Sequence, residues 1–404
     1  MTRHRTSPTF VDLSDNPRRL VHNDAVKNTP EPLAYAEAPL VPGVSSRFVD
    51  TASGLSMHVL EAGTPGRPVV LLLHGFPELA YSWRHQLPVL AAAGYHAIAP
   101  DQRGYGRTAG WDGRFEADLA PYRLFHLARD ALALVRALGL ADVAAVIGHD
   151  FGSFVAGCCA LIRPDVFRAV VLMSAPFGGA PRLGATPPLD VPRALAALDP
   201  PRQHYQWYYS TPQADRDMHH PPGGLHRFLR AYYHVKSADW PYNEPHPLSG
   251  WGAAELATLP HYYVMPAGPG MPAAVAPHAP AADDPAPQRW LPDAELAVYT
   301  SEFARTGFQG GLNWYRCITD PAQLVELTLF DGRRIDAPAC YIAGAADWGI
   351  FQSPGAFERM QCEACARWLG VHLLPGAGHW VQQEQPAHVS ALLLEFLRRA
   401  RDGP

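Results

Sequence analysis

Val143-Ala144-Ala145-Val146-Ile147-Gly148-His149-Asp150-Phe151-Gly152 is the stretch whose reading decides the fold. Five apolar residues lead into a glycine, an acidic residue follows two positions later, and a second glycine closes the turn. The apolar run predicts a buried strand, the glycines a tight turn, and Gly152 to Ile162 a helix. A strand, a sharp turn and a helix form an elbow that lifts its central side chain above the end of a sheet. Serine is the familiar occupant of such a turn, and it needs a base before it can attack. Asp150 needs none, because a free aspartate has a pKa of about 3.9 and is an anion at neutral pH.

Working outward, the same grammar repeats. Two strand-like segments, near Ser46–Thr51 and Leu55–Glu61, precede Pro68-Val69-Val70-Leu71-Leu72-Leu73, which ends at His74-Gly75. An apolar run without polar alternation reads as a strand covered on both faces, as in a parallel sheet. A helix is predicted over Ser82–Ala93, a strand at His96–Ala99, a helix over Leu124–Leu138 and a strand through Ala169–Met173. The rhythm resumes near the end, with strands at Ala339–Ala343 and Val371–Leu374, a helix-like stretch over Ala356–Leu369 and a closing helix at Ala387–Arg401. Alternating β and α segments predict an α/β fold, with a mostly parallel central sheet flanked by helices.

Between 178 and 320 the alternation stops, and prolines and aromatic residues crowd in. This segment reads as a mostly helical cap inserted between two strands. The core is then 46–177 and 321–404, and the proline-punctuated 1–45 is an N-terminal arm. A Pro/Ala-rich loop at 265–287 is not expected to hold a buried core.

The 404 residues suffice for a large domain with an insertion, and 48% hydrophobic content supplies a core. A net charge of −5 without basic blocks argues against nucleic acid as a partner. No run of eighteen apolar residues occurs, so no membrane span is expected. The basic first residues lack the apolar segment of a signal peptide. Six sparse cysteines point to a reducing, cytoplasmic setting, and Cys362-x-x-Cys365, with no second pair, reads as structural. Oligomeric state is not readable.

Asp150 can bond to an alkyl carbon and form an ester, the chemistry of opening an epoxide or displacing a halide. The ester must then be hydrolysed. His379, in Gly376-Ala377-Gly378-His379-Trp380 after the last strand, suits a base at neutral pH. Asp347, in Gly344-Ala345-Ala346-Asp347 after the preceding strand, suits an orienting carboxylate. The order nucleophile, acid, histidine is that of elbow hydrolases. The backbone N–H groups of Phe151 and Phe76 are placed to receive an oxyanion. His74 and His149 read as structural neighbours of these turns, and no cluster suggests a metal or other cofactor.

With His74-Gly75-Phe76-Pro77, Asp101-Gln102-Arg103-Gly104-Tyr105-Gly106, Gly148-His149-Asp150-Phe151-Gly152, Asp347 and Gly378-His379-Trp380, the chain resembles the soluble epoxide hydrolases of the α/β-hydrolase superfamily from about residue 46 onward. That resemblance implies two cap tyrosines that hydrogen-bond the epoxide oxygen. His204-Tyr205-Gln206 and Leu312-Asn313-Trp314-Tyr315-Arg316 match their contexts, so Tyr205 and Tyr315 take that role, while Tyr208 and Tyr209 fill the lid. It implies an epoxide and water as reactants and a vicinal diol as product; apolar residues near the predicted site, with Pro77, Trp207 and Trp380 expected to line the pocket, point to a small hydrophobic substrate. Two alternatives share the fold. A haloalkane or haloacetate dehalogenase would use the same nucleophile, but Phe151 stands where a halide-binding tryptophan would follow it, and Ser153 and Phe154 offer no arginine for a carboxylate. A non-catalytic small-molecule receptor would have no need of a filled triad.

Overall fold

The computed structural model describes residues 40–184, 189–281 and 284–402. Most of the expected arm, 1–39, lies outside the described residues. The strands, in chain order, are β1 (Val44–Asp50), β2 (Ser56–Ala62), β3 (Val69–Leu73), β4 (His96–Pro100), β5 (Ala145–His149), β6 (Val170–Met173), β7 (Arg202–His204), β8 (Val264–Pro266), β9 (Ile335–Gly344) and β10 (Cys365–Leu374). Eight of them form one sheet in the order β1-β2-β4-β3-β5-β6-β9-β10. β1 and β2 are antiparallel to their neighbours. Every pairing from β4 to β10 is parallel.

β3, β5 and β6 are buried at every position, as expected for central parallel strands covered on both faces. Around the sheet lie α1 (Gln86–Ala92), α2 (Leu124–Ala137) and α3 (Phe151–Ile162). α2 shows why its sequence is helical and which face it hides. Leu124, Leu127, Ala128, Ala131, Leu134 and Val135 are buried at three-to-four spacing. Burying one such Leu or Val stabilises the fold by roughly 1.5–3 kcal/mol.

The chain leaves the sheet after β6 and returns at β9, which is β6's neighbour. In between come α4 (Val191–Ala196), α5 (Tyr205–Tyr209), α6 (Pro212–His219), α7 (Leu225–Val235), α8 (Ala253–Leu256), α9 (Met271–Val275), α10 (Asp293–Thr306) and α11 (Gln309–Thr319). β7 and β8 pair antiparallel within this excursion. Then α12 (Ala356–Arg359), α13 (Val381–Glu384) and α14 (Pro386–Asp402) complete the chain. The excursion is bound to the sheet side by buried and part-buried polar contacts. Ser82 Oγ and Tyr299 OH lie 2.8 Å apart, Trp314 Nε1 donates to the Arg103 carbonyl at 3.0 Å, and Arg84 meets Glu295 at 2.6 Å.

Three sequence expectations need correction. The stretch 265–287 is not coreless. It contributes the end of β8 and α9, and Met265, Met271 and Val275 are almost fully buried. Pro272 starts a short helical turn that aligns Met271 and Val275 on one face; residues 282–283 lie outside the described set. The helix predicted over Ala356–Leu369 stops at 364, and Cys365 opens the ten-residue β10. Cys362 is exposed, Cys365 is buried, and both are free. The helix predicted over Ser82–Ala93 is broken into a 3-10 turn, Ala80–Trp83, and α1.

Candidate active site

Adjacent parallel strands in near register bring the C-terminal ends of β3, β5, β6, β9 and β10 to one edge. Leu73 pairs with Gly148, His149 with Met173, and Leu374 with Gly344. Loops leaving that edge are where open α/β sheets build their sites.

The turn after β5 forces its central residue outward. Asp150 has φ 52° and ψ −120°, a backbone geometry that costs a side-chain-bearing residue on the order of 1–3 kcal/mol. The flanking glycines permit it, since a Cβ on Gly148 would sit 2.0 Å from the Gly152 carbonyl oxygen and one on Gly152 would sit 2.3 Å from that of Leu73. Asp150 Oδ1 accepts the Phe76 backbone N–H at 2.9 Å, and Oδ2 lies 3.2 Å from His379 Nε2. Phe151 is the first residue of α3, so its N–H has no carbonyl partner within the helix.

On the far side of the imidazole, His379 Nδ1 lies 3.0 Å from Asp347 Oδ1, which also accepts the Gly349 N–H at 2.7 Å. The histidine backbone is fixed as well. Its N–H donates to the Lys236 carbonyl at 2.8 Å, and its carbonyl accepts from His149 Nε2 at 2.7 Å and Ser174 Oγ at 3.0 Å. Burial opposes the ionised form of Asp150, but the hydrogen bond and charge of His379, with the charges of Lys236 and His149, hold its carboxyl below the usual range. Burial also opposes the imidazolium of His379; the charge of Asp347 and the bonds to Asp347 and Asp150 raise it above its ordinary value, with Lys236 acting against them.

Above the carboxylate, the rings of Tyr205 and Tyr315 lie 5.8 Å apart. Tyr315 packs edge-on against Phe76 and Phe151, each at 5.3 Å, and Tyr209 fills the gap beside it at 4.9 Å. Burial, and next the charge of Asp150, push both phenols well above their ordinary pKa. Both are therefore neutral donors facing one anion. The Tyr205 hydroxyl donates to Gln352 Oε1, and that of Tyr315 makes no hydrogen bond to a described residue.

The expected pocket residues divide. Trp380 is fully buried behind His379, with its indole N–H on the Tyr233 carbonyl at 2.8 Å. Pro77 is buried and its carbonyl accepts the Tyr233 hydroxyl at 2.9 Å. Trp207 is not brought to the carboxylate cluster; half-buried, it packs edge-on against His204 at 5.1 Å. His74 donates from Nδ1 to the Gly75 carbonyl and accepts the Gln102 N–H at Nε2, and burial lowers its pKa, so it orients the turn as an uncharged ring. Among the described residues there is no group of three or more His, Cys, Asp or Glu able to hold a metal ion, and no helix is long and apolar enough to cross a membrane.

Three residues escaped the sequence reading. Glu78 is fully buried, meets His149 Nδ1 at 2.5 Å, and accepts from the Gly75 N–H and from Gln382 and Gln383. It sits in the His74–Glu78 string, and an acid in so apolar a turn was the available signal. Gln352 and Lys236 had no local signal, because nothing near them in sequence marks their spatial neighbours.

A family model described as alpha/beta hydrolase fold matches residues 68–216. The chain is 37% identical to epoxide hydrolase A of Mycobacterium tuberculosis over 371 residues, covering 87% of this chain and 97% of that one. Among solved structures, an epoxide hydrolase from an endophytic Streptomyces superposes with a TM-score of 0.72 at 35% identity, covering 90% of this chain and 98% of its own. Epoxide hydrolase A from Mycobacterium thermoresistibile gives 0.69 at 38% identity, with 88% and 98% covered.

Proposed function

This chain belongs to the epoxide hydrolases of the α/β-hydrolase fold, and we propose that it turns a small hydrophobic epoxide into a vicinal diol through an ester to Asp150. The family sets aside the dehalogenase and receptor alternatives. The single observation that carries the mechanism is the placement of Asp150, with one carboxylate oxygen on a backbone N–H and the other 3.2 Å from an imidazole.

In the first step Asp150 Oδ2 attacks a ring carbon as the C–O bond breaks. The departing oxygen takes a hydrogen bond and then a proton from the phenols of Tyr205 and Tyr315. Neutral phenols suit this task, and raised pKa values keep them protonated. In the second step His379, oriented by Asp347, takes a proton from water, and the oxygen adds to the Asp150 carbonyl carbon. Oδ1 becomes an oxyanion held by the N–H groups of Phe76 and Phe151. The ester C–O bond then breaks, the proton on His379 passes to the departing diol oxygen, and the proton left on the carboxyl restores the phenol.

Phe76, Phe151 and Tyr209 pack aromatic rings around Tyr315 beside the carboxylate, which supports a hydrophobic substrate. We further infer the division into a core, 46–177 and 321–404, and a cap, 178–320, with the cap supplying the two phenols. The test is His379→Gln under saturating styrene oxide. Intact-protein mass should rise by the mass of one epoxide, and Asp150→Ala should show neither adduct nor diol. An unchanged mass in His379→Gln would sink the two-step scheme.

A further inference from the structure

Lys236 stands just beyond α7, deep in the protein, with only 3% of its surface exposed. Its ammonium is surrounded by aromatic rings. Nζ lies 4.7 Å from the Tyr263 centroid, 5.2 Å from Tyr232, 5.7 Å from Tyr262, 5.8 Å from Trp380 and 6.0 Å from Tyr205. Ring faces carry negative charge density and receive a cation at such distances. Among the described residues Lys236 makes no salt bridge. Its ammonium is thus paired with no carboxylate, and its burial limits screening by solvent.

The same residue is locked to the histidine loop. The Lys236 carbonyl accepts the His379 N–H at 2.8 Å. A Cβ on Gly378 would come within 2.5 Å of that carbonyl oxygen, so the two backbones are in direct contact. Glu384 clasps both segments, accepting the N–H groups of Ala238, Gly378 and Trp380. Nothing in the two-step chemistry above uses the ammonium that this clasp delivers.

We propose that Lys236 is a positioning residue whose charge keeps His379 an uncharged base once Asp150 has been esterified. The inference rests on the two-step reading. His379 faces Asp347 at 3.0 Å and Asp150 at 3.2 Å, with the His149 ring at 5.1 Å and Glu78 behind it. Glu384 lies across its own loop and Tyr205 above, while Asp239, three residues past Lys236, is paired with Arg289 and the Trp290 indole. In the resting enzyme two carboxylates favour a proton on the ring. Esterification erases the charge of Asp150, yet Asp347 still favours the imidazolium, and an imidazolium cannot take a proton from water. Lys236 opposes Asp347 at that moment: its ammonium lies 5.8 Å from the Trp380 ring, whose centroid is 4.7 Å from that of His379, and its charge bears on both Asp150 and His379. Its low-dielectric aromatic surroundings extend that reach.

The experiment compares wild type, Lys236→Gln and Lys236→Arg by single-turnover kinetics with styrene oxide from pH 5 to 9, resolving ester formation from ester hydrolysis. Lys236→Gln should move the acid limb of ester hydrolysis upward by about one pH unit, since a lost charge within a buried site shifts a neighbour by that order. Hydrolysis at pH 6 would then be about tenfold slower, with the plateau at high pH regained. Lys236→Arg should keep the limb near its wild-type position. Lys236→Met serves as a second uncharged variant if the Gln variant does not fold. A limb that stays in place in either uncharged variant overturns the proposal, as does a rate loss uniform across pH. His379→Gln separates the two readings. If it accumulates ester while the limb in Lys236→Gln is unmoved, only the role of Lys236 fails; if no ester accumulates, the two-step scheme itself fails.

Discussion

The hydroxyl of Tyr205 donates to Gln352 Oε1 at 2.8 Å and accepts from Gln206 Nε2 at 3.2 Å. An epoxide oxygen seeking that proton must displace Gln352. A buried hydroxyl left without an acceptor costs about 1–3 kcal/mol. Gln352→Leu is therefore expected to tighten epoxide binding by roughly 5-fold or more, because the substrate alone would then satisfy the phenol. Titration of the epoxide in an Asp150→Ala background measures this without turnover; weaker binding would show that Gln352 serves the bound state instead.

Removing either phenolic proton should act on ring opening. Tyr205→Phe and Tyr315→Phe are each expected to slow ester formation by about 10²-fold, the lower range for a lost general acid. Ester hydrolysis should change far less, because the proposed water-activating pair, His379 and Asp347, is untouched. Stopped-flow fluorescence of the tryptophans near the site resolves the two phases.

The pH dependence follows from the directions of the shifts. The pKa of His379 is raised in the resting enzyme. Its protonated form cannot act as a base, and in the ester Asp347 alone of the two carboxylates still favours that form, so ester hydrolysis should fall on the acid side. The phenols are pushed above 10, so ester formation should hold level to about pH 10. A fall in ester formation already at pH 8 would contradict neutral phenols as donors.

Gly75 is where the turn after β3 touches Asp150. A Cβ there would lie 2.4 Å from both Asp150 Cβ and Oδ1. Gly75→Ala must push the carboxylate aside, and a displacement of about 1 Å costs roughly 10²-fold in rate. The loss should appear in ester formation, with stability lowered by about 1–3 kcal/mol, measured by urea denaturation.

Arg103 and Asp130 form a buried pair at 2.6 and 3.0 Å, and the Arg103 carbonyl receives the Trp314 indole N–H beside Tyr315. Asp130→Ala leaves a buried guanidinium without its partner, which should cost about 3–5 kcal/mol. Denaturant unfolding followed by circular dichroism reads this directly, and a loss below about 1 kcal/mol would mean that water reaches Arg103.

What was legible in the sequence was local. The elbow at 148–152 needs glycines on either side of a forced turn, and Ala145 to Ile147 needs apolar residues on both faces. Strand-then-loop order places Asp150, Asp347 and His379 at one edge as soon as the sheet is parallel. Tertiary structure decided what depends on distant segments folding back together. Lys236 meets His379, Gln352 meets Tyr205, and Glu78 meets His149 across gaps that no periodicity spans. The stretch 265–287 looked coreless because alanine and proline give weak local signals, but burial of Met271 and Val275 is conferred by the helices packed over them. Backbone conformation answers to neighbours in sequence, whereas charge and burial answer to neighbours in space, and only the folded chain supplies those.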